Sequence, residues 1–99
     1  MMAISRDAVP RTNFMVRRRR FDEAIWLVRY NDWYVLDDPS DYVWRGCEAS
    51  WTVEEIIKRM AVDQDMSLAD AMAATVYALG LFRELGFLTW DDVEDTDVD

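Results

Sequence analysis

The apolar positions of the chain change period twice. Residues 24–30, AIWLVRY, are apolar except for Arg29 and have the length of a strand. Asn31-Asp32 then supplies a two-residue turn, because both residues tolerate positive φ. Trp33 to Leu36 (WYVL) returns as a further strand, rich in the aromatic and β-branched types that suit a pleated surface. Upstream, Phe14 to Phe21 (FMVRRRRF) places Phe14, Val16, Arg18 and Arg20 on one face, and Met15, Arg17, Arg19 and Phe21 on the other. With Asp22-Glu23 as a short polar break, the three runs predict an antiparallel meander whose third strand, Trp33 to Leu36, lies at an edge.

After Leu36 the spacing becomes helical. Asp37-Asp38-Pro39-Ser40 ends the strand, because proline cannot donate to a ladder, and Ser40 is suited to cap the helix that follows. That first helix is short: Val43 and Cys47 lie four apart, and Gly46 weakens it. Thr52 with Glu55 forms a capping-box signature, and Val53, Ile56, Ile57 and Met60 recur at helical spacing to about Val62. Ser67 with Asp70 repeats the start signal for a third helix, Leu68 to Leu85, and Gly86 is its C-terminal glycine. Phe87, Leu88 and Trp90 are expected to fold back on the core.

The expected fold class is therefore α+β, a three-stranded antiparallel meander followed by three helices. A single folded domain is expected over 14–90. Residues 1–13 have no period and are expected to be a flexible arm, and 91–99, DDVEDTDVD, a disordered acidic tail.

At about 100° per residue, the apolar residues of the third helix span roughly half its circumference. Leu68, Met72, Leu79 and Phe82 gather toward one side of the arc, and Ala71, Ala74 and Ala78 toward the other. The small side admits two readings. It allows close approach of another helix, or it forms a shallow apolar trough beside the third strand.

Composition narrows the chemistry. The 99 residues contain no histidine and a single cysteine, Cys47. This removes the commonest general base and metal ligand, every Ser-His or Cys-His arrangement and any intramolecular disulfide. Adjacent acids such as Asp37-Asp38 and Glu54-Glu55 are read as caps and solvated turns rather than catalytic pairs. The expectation is a non-enzyme without cofactor or metal. No run is long and apolar enough to cross a membrane, and the N-terminal residues lack the apolar stretch of a secretory signal, so a cytoplasmic location is expected.

The net charge of −9 is unevenly divided, +4 over residues 1–30 and −13 over residues 31–99. An acidic chain is repelled by phosphate backbones, so nucleic-acid binding would rest on Arg17 to Arg20 and is disfavoured.

Several motifs together resemble the PqqD-like family, the peptide chaperones and precursor-peptide recognition elements of ribosomally made, post-translationally modified peptide pathways. They are Tyr34-Val35-Leu36, Val43-Trp44, Trp51-Thr52-Val53-Glu54-Glu55-Ile56, and Leu79-x-x-Phe82-x-x-x-Gly86-Phe87-Leu88. The family's Leu-Asn before the first helix is Asp38-Pro39 here, and its Asp-Val in the last helix is Ala74-Thr75. The resemblance implies a winged-helix-like domain that captures the leader segment of a precursor peptide by strand addition. It would then present that peptide to a modifying enzyme such as a radical or cyclising maturase. By position, the implied peptide-binding residues are Trp33, Tyr34, Val35 and Leu36 on the strand, with Ala71, Ala74, Ala78 and Leu81 on the helix. The competing expectations are a winged-helix nucleic-acid binder and a protein-interaction adaptor, including a homodimer paired through the open edge.

Overall fold

The computed structural model describes residues 4–90. The expected acidic tail, 91–99, lies outside the described residues. Five strands and three helices follow in the order β1 (Arg11–Thr12), β2 (Arg17–Phe21), β3 (Ala24–Arg29), β4 (Asp32–Leu36), α1 (Asp38–Glu48), α2 (Val53–Asp63), α3 (Leu68–Glu84) and β5 (Leu88–Thr89). The fold is α+β: β2, β3 and β4 form an antiparallel meander, and three helices follow it. A separate two-stranded pairing joins β1 to β5.

The first strand begins later than its sequence suggests. Asn13 accepts from the Met15 amide through its side chain (2.8 Å) and from the Val16 amide through its carbonyl (3.0 Å), which holds Phe14 and Met15 in a turn before β2. Asp22 and Glu23, with φ of 59° and 65°, then make the β2–β3 turn.

The second turn is shifted by one residue from the expected Asn31-Asp32. It is centred on Tyr30 and Asn31, with the positive φ (55°) on Tyr30, and Arg29 pairs with Asp32. This register sets Ile25 opposite Leu36, an apolar pair, and leaves Asp37 outside the ladder.

Asp37, rather than Ser40, is the N-cap of α1. Its carboxylate accepts from the Ser40 amide at 2.9 Å, and Pro39 sits in the first turn, where no backbone donor is needed. The sequence that ends the strand is thus also the helix start. Gly46 has a packing role in α1: a Cβ there would lie 2.9 Å from both Ile56 Cγ1 and Trp51 Cε3. The glycine sets how closely α1 approaches α2.

Helix α2 carries the capping box in full: Thr52 Oγ1 accepts from the Glu55 amide (3.1 Å), and Glu55 accepts from the Thr52 amide (2.9 Å). The two remaining early donors bond upstream, Val53 to the Ala8 carbonyl and Glu54 to the Arg6 carbonyl, each at 2.9 Å. Together with buried Pro10 and the β1–β5 pair, these bonds correct the expectation of a free arm over residues 4–13. The segment docks because it supplies acceptors to an otherwise unsatisfied helix end.

Helix α3 ends in a two-bond glycine stop. The Gly86 amide bonds to Arg83 O (3.0 Å), the Phe87 amide to Phe82 O (2.8 Å), and Gly86 has φ of 77°. The reversal buries Phe87, Leu88 and Trp90 as expected, in a core with Leu27, Val43, Trp44, Ile56, Met60 and Phe82. Arg18 of β2 ties the sheet to this core, donating twice to Asp41 of α1 (2.6 and 3.0 Å), while Arg45 lies 3.3 Å from the same carboxylate. This is the charge-assisted, two-pronged geometry that fixes orientation as well as energy.

Candidate peptide-binding edge

The meander has two outer strands, and their chemistry differs. β2 carries four consecutive arginines, the kind of charged edge that resists casual strand pairing. β4 carries Trp33, Tyr34, Val35 and Leu36, with Asp32 its only charge. It pairs with β3 alone, and among the described residues no other backbone bond reaches 32–36. Trp33, Tyr34 and Val35 are 49%, 41% and 59% exposed, and Leu36 is half-buried.

The register indicates which groups of β4 are available. A two-residue turn closes on a hydrogen-bonded pair, and bonded and non-bonded pairs then alternate. Starting from Arg29–Asp32, this makes Leu27–Tyr34 and Ile25–Leu36 the bonded pairs. The N–H and C=O groups of Trp33 and Val35 therefore point away from β3, toward the open side.

Side chains divide by the same alternation. Tyr34 and Leu36 share the helix-facing row with buried Leu27, and Trp33 and Val35 stand on the opposite face. Tyr34 meets Phe87 edge-on (centroids 5.4 Å apart), and the Arg29 guanidinium lies 4.9 Å from the Phe87 ring centre. β4 thus passes the C-terminal end of α3.

The helical half of the expected site is arranged differently from its sequence reading. Ala71 and Ala78 are fully buried, and Ala74 is partly buried against the core, so the small residues serve the close packing of α3 on α1 and α2. They do not line a trough. Of the four expected helix residues only Leu81 is exposed, at 39%. It belongs instead to an outward stripe, where Val76, Tyr77, Gly80, Leu81 and Glu84 line an open depression of about 350 Å³. Val76, Tyr77 and Gly80 were missed, although α3 gives a signal for them. Its seventeen residues include only three charges, so part of its apolar surface must face water.

Among the described residues no three His, Cys, Asp or Glu side chains gather in a way that could hold a metal ion. Burial, reinforced by nearby Glu48, pushes the Cys47 thiol up to about 12, so it stays a neutral core group rather than a nucleophile. Tyr42 is also pushed up to about 12, first by burial and then by the hydrogen bond it donates to Asp63 (2.5 Å). Both groups are spent on structure.

No family model, curated protein or solved structure matches this chain. No helix among the described residues is long and apolar enough to cross a membrane. The geometry of the edge and the motifs of the sequence are therefore what bear on function.

Proposed function

We propose that this is a non-catalytic binding protein that captures the leader segment of a precursor peptide by strand addition to β4 and presents it to a separate modifying enzyme. The observation that carries the reading is the one-sided pairing of β4. Its outward Trp33 and Val35 backbone groups sit in an aromatic-rich strand whose only charge is Asp32 at its start, while the other edge carries four arginines. An extended peptide gains main-chain hydrogen bonds there and specificity from side chains alternating between Tyr34 and Leu36 on one face and Trp33 and Val35 on the other. The PqqD-like motifs support a precursor leader as the peptide and a radical or cyclising maturase as the receiving enzyme, in the cytoplasm.

Ala71 and Ala78 have no free surface and drop out of the proposed site, which keeps Leu81 from the helix. The winged-helix nucleic-acid reading loses ground on α3. The exposed side of that helix carries Asp70 and Glu84, and its one arginine, Arg83, lies over the Trp90 ring.

Calorimetric titration of the full chain with synthetic leaders from short open reading frames beside its gene tests the proposal. Saturable 1:1 binding that is lost in Val35→Pro supports it. Absence of heat with every such leader overturns it.

A further inference from the structure

The sheet has a solvent face that strand addition at β4 touches only along its Trp33–Val35 border, leaving the β2 and β3 rows free. Arg18, bonded to Asp41 of α1, and buried Leu27 mark the helix-facing rows. By the alternation of β-strands, Arg17, Arg19 and Phe21 of β2, Trp26 of β3 and Trp33 of β4 all lie on the opposite face. The three rings form one cluster: Phe21 and Trp26 each meet Trp33 edge-on, with centroids 6.2 and 5.9 Å away. Phe21 is 63% exposed and Trp33 49%, a large apolar area to leave in water.

Two of the arginines on this face are unmatched among the described residues. Although acids outnumber bases by 20 to 11 over the chain, neither Arg17 nor Arg19 has a carboxylate partner among the described residues. Arg17 and Arg19, without a carboxylate partner among the described residues, thus set two positive charges beside an exposed apolar anchor. Aromatic residues and arginine are also the types enriched where proteins dock.

We infer that this face docks an acidic polypeptide segment of a partner protein, with an aliphatic or aromatic side chain of that segment packed on the Phe21–Trp33 cluster and its carboxylates on Arg17 and Arg19. A second copy of the chain is disfavoured as occupant, because two such faces would bring like charges together. A single-stranded nucleic acid is disfavoured by ring geometry. The rings cross at 69° and 73°, so they offer no series of parallel platforms for stacked bases.

The test uses three labelled probes on the full chain at low salt: a synthetic peptide of Glu and Asp around a central Leu-Trp pair, its counterpart with Lys for every acid, and an oligouridine. The acidic peptide is expected to bind at least about tenfold tighter than the other two and to shift the amide resonances of the outer-face residues. Arg17→Glu/Arg19→Glu, and the milder Arg17→Gln/Arg19→Gln, are expected to weaken it about tenfold while leaving leader binding at the β4 edge unchanged. Equal binding of the two peptides, tighter binding of oligouridine, or no response to either double variant overturns the inference. Loss of leader binding alone bears on the β4 reading and not on this one.

Discussion

The ring of Tyr34 stands edge-on to that of Phe87, with centroids 5.4 Å apart and planes at 77°. Phe87 is the second residue of the turn that stops α3, and its amide is held by Phe82 O. The glycine stop therefore does more than end a helix. It delivers a buried ring to the inner face of the edge strand, fixing β4 from the core side while its outer backbone groups stay unbonded among the described residues.

Within β4, adjacent positions should respond differently to proline. Val35→Pro removes an outward donor and should weaken leader binding about tenfold or more, with a change in stability within about 1 kcal/mol. Tyr34→Pro removes a donor bonded to β3 and should lower the melting temperature as well. Calorimetry paired with thermal unfolding separates the two.

Removal of residues 1–9 should destabilise the fold rather than trim a free end. The Val53 and Glu54 amides lose the Ala8 and Arg6 carbonyls, at a cost of about 1 kcal/mol for each bond lost. Amide exchange at Val53 and Glu54 should accelerate selectively in the truncated protein.

At Gly46, helix propensity and packing oppose one another. Alanine gains about 1 kcal/mol in a helix, but its methyl would overlap Ile56 and Trp51 and cost about 1–3 kcal/mol. Gly46→Ala should be net destabilising by about 1 kcal/mol, read as a fall in the urea midpoint. A stabilised variant would show that the α1–α2 contact yields easily.

Alkaline pH should erode stability early. Cys47 and Tyr42 are both raised to about 12 in the folded protein, from ordinary values of 9.0 and 10.0. A raised value means the folded state holds its proton more tightly than the unfolded chain. The resulting stabilisation is complete below about pH 9 and is lost as pH climbs toward about 12. Urea unfolding across that window should show the decline, and Tyr42→Phe and Cys47→Ala should each flatten part of it.

Much of this was legible in the chain, and what was not has physical causes. Thr52 with Glu55, Ser67 with Asp70, and Gly86 followed by Phe87-Leu88 announce helix ends, because the groups that satisfy those ends are side chains or a glycine visible in sequence. The docked arm was hidden because its acceptors at Ala8 and Arg6 are backbone carbonyls, which every residue has. The turn at Tyr30 was hidden because Asn31-Asp32 has better intrinsic turn chemistry, and the pairing of Ile25 with Leu36 outweighed it. The fate of Ala71 and Ala78 was undecidable by periodicity, since a small side on a helix serves a groove or a close helix contact equally well. The packing of α3 on α1 and α2 chose the second.

Amide hydrogen exchange of Trp33 and Val35, with and without a bound leader peptide, tests the central claim most directly. Their N–H groups should exchange rapidly in the free protein and become protected in the complex, while Tyr34, already bonded to β3, changes little. Protection of Trp33 and Val35 before any peptide is added, or binding that leaves both amides fast, would contradict the account.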